Sequence, residues 1–167
     1  MKWLVPTMSI AIFFLTGCAR TEYHKTLQHP PLSREAVYAF EPGVTPDFEW
    51  PAEGRVIVSY GERQAGSPAK GWTVETRPDM TVAASEAGKI GFVDPSLDGY
   101  GSTVVVEHSK DFATVYAGLS DIRVRPGQIL RKGDVLGRVA AHGTAGRYYF
   151  EIRRHTRAED PQIYLTR

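Results

Sequence analysis

After residue 48 the chain is cut by Gly and Pro into short runs rich in β-branched and aromatic residues, with no long amphipathic helical period among them. The first, 55–60, is bounded by Gly54 and Gly61; the others are 89–93, 102–107, 113–116, 135–139 and 148–153. Strands this short, spaced by turn residues, predict an all-β fold, an antiparallel sandwich or open barrel and not βαβ units. In the last run a side-chain period of two puts Arg147, Tyr149 and Glu151 on one face. Tyr148, Phe150 and Ile152 take the other. No internal repeat or low-complexity tract interrupts the series.

The N-terminus reads as an address. Met1-Lys2-Trp3 precedes an apolar run from Leu4 to Leu15, too short to span a bilayer and followed by small residues, as in a secretory signal. Leu15-Thr16-Gly17-Cys18 resembles the bacterial lipobox, which implies a lipid on Cys18 as the first mature residue and attachment to a membrane through it. An ordinary signal peptide is the alternative; the position of Cys18, the only Cys in the chain, favours the lipobox. A single Cys also excludes a disulfide framework or a thiolate metal site in the mature domain. Ala19, where Asp would favour retention in the inner membrane, points to the outer membrane facing the periplasm.

Residues 19–47 are expected to form a flexible tether, interrupted by Pro30, Pro31, Pro42 and Pro46, with one or two helical turns at Ser33–Tyr38. Such a tether would reach roughly 30 Å on average and about 90 Å at full stretch. A tail with no measuring role fits the same residues. Residues 48–167 suffice for one domain with a real core. Lys and Arg number 20 against 19 acidic residues, so charge offers no case for nucleic acid.

Six segments in order resemble the lysostaphin-type (LytM-like) zinc endopeptidases, which cleave peptidoglycan cross-links. Phe48-Glu49-Trp50-Pro51-Ala52-Glu53-Gly54 is similar to the lead-in to the first strand, and Gly99-Tyr100-Gly101-Ser102 through Glu107-His108 to a Gly-Tyr-Gly-Asn strand ending in His. Val124-Arg125-Pro126-Gly127-Gln128 and Lys132-Gly133-Asp134-Val135-Leu136-Gly137 match paired Gly turns. Gly146-Arg147-Tyr148-Tyr149-Phe150-Glu151 matches the final His-x-His-Phe-Glu motif, and Asp160-Pro161-Gln162-Ile163-Tyr164-Leu165 the terminal Asp-Pro-x-x-Tyr-Leu. The resemblance implies the LytM fold, built on a duplicated hybrid motif, over residues 48–165.

Residue by residue, the same resemblance implies that the metal chemistry is lost. The family draws a His and an Asp ligand from His-x-Gly-x-Asp and a His ligand from the final motif; here Ala69, Thr73 and Tyr149 stand at those places. Its catalytic His positions, one of them in Tyr-Ala-His-Leu, are Gly118 and Arg147. Ala and Gly carry no donor, neutral Thr and Tyr are poor zinc ligands, and a permanent cation repels a divalent metal. No catalytic residue, metal or cofactor is therefore expected. Among the histidines, His108 is expected to be structural; His142 either leans towards the groove or is a solvated loop residue. Glu75 and Glu151 have no partner identifiable from sequence.

What the resemblance leaves is a groove lined by Lys70, Trp72, Thr73, Tyr116, Gly118, Arg147 and Tyr149, with core packing an equally open alternative for Trp72 and Tyr148. Degenerate members of this family activate cell-wall amidases without catalysis. The implied role is an envelope lipoprotein that binds and regulates such an amidase or another murein hydrolase. Passive binding of peptidoglycan and a residual endopeptidase are the alternatives.

Overall fold

The computed structural model describes residues 46–108 and 111–165; Cys18, the expected tether up to residue 45 and its Ser33–Tyr38 turns lie outside them. In chain order the strands are β1 (Arg55–Val58), β2 (Arg63–Gln64), β3 (Ser67–Pro68), β4 (Trp72–Thr76), β5 (Thr81–Ala83), β6 (Gly88–Leu97) and β7 (Gly101–Glu107). They continue as β8 (Phe112–Ala117), β9 (Leu119–Ser120), β10 (Ile129–Leu130), β11 (Val135–Val139), β12 (Ala141–His142), β13 (Ala145–Arg154) and β14 (Arg157–Glu159). Among the described residues nine strands form one sheet in the order β1-β4-β13-β8-β7-β6-β10, with β12 and β14 also paired to β13. A second sheet has the order β5-β11-β9, and β2-β3 is a separate hairpin. The expected all-β antiparallel architecture is the observed one.

β13 sits inside the large sheet between β4 and β8, and its alternation sets two rows of side chains. Phe150 lies opposite Trp72 on β4 and Tyr116 on β8, while Tyr148 lies opposite Val74. Residues directly opposite across a ladder share a face. Trp72, Val74, Tyr116, Tyr148, Phe150 and Ile152 therefore form one buried row in the hydrophobic core. Burying an aromatic or large aliphatic side chain of this kind contributes about 1.5–3 kcal/mol. The next row belongs to the other face, where Tyr149 pairs Thr73 and Ala117, and Arg147 pairs Glu75.

The segment ahead of β1 is clasped to the far end of the chain. Phe48 is fully buried, forms a parallel bridge with Leu165, and donates its N–H to the Tyr164 carbonyl at 3.3 Å. Its ring meets those of His108, Phe112 and Tyr164 at centroid distances of 5.2, 6.0 and 6.3 Å. Lys132 adds a polar clamp, with Nζ 2.6 Å from the Asp47 carbonyl and 2.9 Å from Glu86 Oε2. The Asp160 carboxylate caps the 3-10 turn Pro161–Ile163 by accepting from the Gln162 N–H at 3.0 Å.

His108 is the polar centre of the core. Nδ1 lies 2.9 Å from the Ala87 carbonyl, and Nε2 lies 2.7 Å from Thr114 Oγ1, itself 2.9 Å from the Tyr116 hydroxyl. A carbonyl can only accept, so Nδ1 carries the proton and Nε2 accepts from Thr114. Tyr116 must then donate to Thr114, while the Ser85 N–H donates to Tyr116 at 2.9 Å. Burial lowers the His108 pKa to about 4, so the ring is neutral at ordinary pH, and each of the donors just named has an acceptor. This is the structural role expected of His108.

Candidate functional site

The outward row of β4 and β13 floors a groove of about 630 Å³. The β2–β3 hairpin flanks it through Gln64, Ser67 and Pro68, and the Gly99–Tyr100 turn between β6 and β7 borders it as well. Gly71 lets the loop ahead of β4 lie on β13. A Cβ there would run into the Phe150 carbonyl and come within 2.9 Å of Glu151 Cβ. This close approach brings Ala69 and Lys70 to the groove wall.

Five of the seven expected groove residues come together here: Lys70, Thr73, Gly118, Arg147 and Tyr149, with Ala69 beside them. Trp72 and Tyr116 do not. Trp72 is only 7% exposed and packs on Trp50 at 5.1 Å, and Tyr116 is fully buried with its hydroxyl in the His108 chain. The register explains the correction, because both lie opposite Phe150 on the inward row. Tyr148 also turns inward, its hydroxyl donating to the Ala52 carbonyl at 2.7 Å. His142 borders the groove.

The carboxylates have partners that the sequence did not reveal. Glu151 is 2% exposed, accepts from the Tyr149 hydroxyl at 2.6 Å and pairs with Arg153 Nη1 at 2.7 Å. Glu75 accepts from Arg55 at 2.8 Å and from Arg147 at 3.2 Å. Those two guanidinium hydrogen bonds, Arg55 first and Arg147 second, hold the Glu75 carboxyl below its usual range. Tyr100, missed as a site residue, meets Tyr149 edge to face at 5.5 Å. The signal available for it was an aromatic between two glycines at the tip of a turn.

Gly118 serves the groove through its backbone. Its φ is +70°, a left-handed conformation that favours Gly, and a Cβ added there would lie 3.0 Å from the Arg147 carbonyl. Its N–H donates to the Tyr100 carbonyl at 3.2 Å, so the same residue also fixes the aromatic turn.

Zinc does not fit this set of side chains. Ala69 offers no donor. Burial above all, then the hydrogen bond to Glu151, pushes the Tyr149 hydroxyl well above the ordinary phenol range, so the groove presents a neutral phenol, a poor zinc ligand beside His or carboxylate. Arg147 adds a cation beside it. Among the described residues no group of three His, Cys, Asp or Glu side chains could hold a metal ion. The arrangement suits recognition: its lining among the described residues carries Lys70, Arg147, His142 and three tyrosines, and no carboxylate.

Comparison with known proteins places this geometry in a lineage. An uncharacterized lipoprotein of Escherichia coli strain K12, YgeR, is 32% identical over 117 residues, which cover 70% of this chain and 46% of that protein. The murein hydrolase activator NlpD of the same organism is 29% identical over 119 residues, covering 71% of this chain and 31% of that one. The chain thus spans less than half the length of these curated relatives. In fold it is similar to Helicobacter pylori Csd3 in its hexagonal crystal, with a TM-score of 0.66 at 21% identity, over 74% of this chain and 34% of that one. The model of Peptidase family M23 matches residues 67–161, most of the described domain and more than half of the chain. By that match and the fold that accompanies it, the chain belongs to peptidase family M23.

Proposed function

We propose that this domain binds a peptidoglycan hydrolase, such as a zinc amidase, and activates it without catalysis of its own. The observation that carries the reading is the row of Thr73, Tyr149 and Arg147 at the groove floor; by the motif resemblance, these residues take the places of metal and catalytic residues of the family. Aromatic and Arg side chains in a cleft are what protein recognition uses. The name of NlpD, a murein hydrolase activator, supports the same class of role. Activation is then a population shift: the groove must bind a released segment of the hydrolase better than the hydrolase's own active site does. A lipid on Cys18 would hold the protein at the outer membrane, facing the periplasm, with residues 19–47 as the tether of the domain.

The test is the activity of a purified zinc amidase on sacculi, with and without the detergent-solubilised full chain. A rise in rate is the expected result. Sedimentation with sacculi and no change in amidase rate would instead favour a passive peptidoglycan-binding module, with Arg147 and Lys70 pairing to stem-peptide carboxylates. Stoichiometric zinc and chelator-sensitive cleavage by the chain itself would overturn the non-catalytic reading.

A further inference from the structure

We propose that Glu75 is a resident competitor in the groove: it occupies Arg147 until the carboxylate of an acidic segment of the partner displaces it. The inference rests on the groove being the contact surface proposed above. Its basis is a row of three charges on adjacent strands. Glu75 on β4 lies opposite Arg55 on β1 and opposite Arg147 on β13. One carboxylate oxygen is 2.8 Å from Arg55, and the other is 3.2 Å from Arg147. Glu75 itself borders a neighbouring depression, whereas Arg147 borders the groove.

This geometry makes the exchange inexpensive. Among the described residues the Arg147 side chain has that single acceptor, and it is 43% exposed, so the pair is screened by water and weakly held. When Arg147 swings away, Arg55 still neutralises Glu75, and no carboxylate is left without a counter-ion. The incoming carboxylate can engage the guanidinium through two parallel hydrogen bonds, which Glu75 does not do. Lys70 lies on the same groove, and Tyr100 and Tyr149 offer apolar surface to the rest of the segment. With no acidic lining residue among the described residues to oppose it, an acidic peptide is the complementary occupant, whereas a neutral one would leave Arg147 with Glu75.

Fluorescence anisotropy on the detergent-solubilised full chain tests this, with labelled hexaglutamate and hexaglutamine peptides as probes. Hexaglutamate is expected to bind and hexaglutamine is not. Glu75→Gln should tighten hexaglutamate binding about threefold, the scale of an exposed ion pair. Arg147→Gln should weaken it about tenfold. In the double variant the gain from Glu75→Gln should vanish, because it acts through Arg147. Equal binding of the two peptides, no binding of hexaglutamate, an unchanged or weaker Glu75→Gln variant, or a gain that persists without Arg147 would each overturn the inference. The hydrolase reading fails separately, if the wild-type chain leaves the amidase rate unchanged while these titrations behave as stated.

Discussion

Tyr149 stands over Glu151, two residues on along the same face of β13, and its hydroxyl donates to that buried carboxylate at 2.6 Å. The tyrosine side chain is thereby tied down from below and braced from the side by Tyr100. Its ring is presented to the groove as a fixed wall.

Tyr149→Phe keeps the ring and removes the donor, leaving one oxygen of a buried carboxylate without its partner. Stability should fall by about 1–3 kcal/mol, measured by urea unfolding. A variant as stable as the wild type would mean that Glu151 finds another donor.

His108 gives the fold a pH dependence. Its folded pKa of about 4 lies below the ordinary imidazole value of 6.5, so between those values the unfolded chain binds more protons than the folded one. The stabilisation is complete above about pH 6.5 and is lost as pH falls through about 4. The loss is on the order of 3 kcal/mol. Unfolding curves across that range should steepen against pH in the wild type, and His108→Gln should flatten this part of the slope.

Placing at Gly118 the His that the motif resemblance expects there should not create zinc chemistry. Gly118→His puts a side chain on a left-handed backbone and against the Arg147 carbonyl, at a cost of about 1–2 kcal/mol. A lower melting temperature with no zinc uptake is expected. Stoichiometric zinc in this variant would show that the remaining residues can still assemble a site.

Arg147→Glu reverses the charge of the groove floor and sets two carboxylates opposite each other on β4 and β13. Amidase stimulation should be abolished while the circular dichroism spectrum is unchanged. Full stimulation by this variant would remove the groove as the working surface.

Cys18→Ala removes the residue expected to carry the lipid. The variant should be found in the soluble fraction after cell breakage, and persistent membrane attachment would refute a lipid anchor.

The alternation of β13 was legible from sequence because a period of two is local to one strand. It correctly separated Arg147, Tyr149 and Glu151 from Tyr148, Phe150 and Ile152. β4 was not recognised as a strand, although Trp72-Thr73-Val74-Glu75-Thr76 alternates; its neighbours across the ladder were therefore unknown. Register against β13 turns Trp72 inward opposite Phe150 and puts Glu75 opposite Arg147, and no spacing within either strand specifies such a pairing. Tyr116 lies in a run legible as a strand, but its register opposite Phe150, which turns it inward, is not. The motif order carried the fold, since Gly turns and the Asp160–Leu165 segment are local. The partners of Glu75 and Glu151 depend on contacts between distant residues or on side-chain direction, which a single chain read in order does not give.

The clasp of Phe48 onto Leu165 has a mechanical consequence. Any pull transmitted along the chain ahead of Pro46 enters the domain at a residue held at once by a parallel bridge, a backbone hydrogen bond and three aromatic neighbours. Force arriving there is shared with the C-terminal segment and loads several contacts together, instead of peeling β1 from the sheet edge one bond at a time.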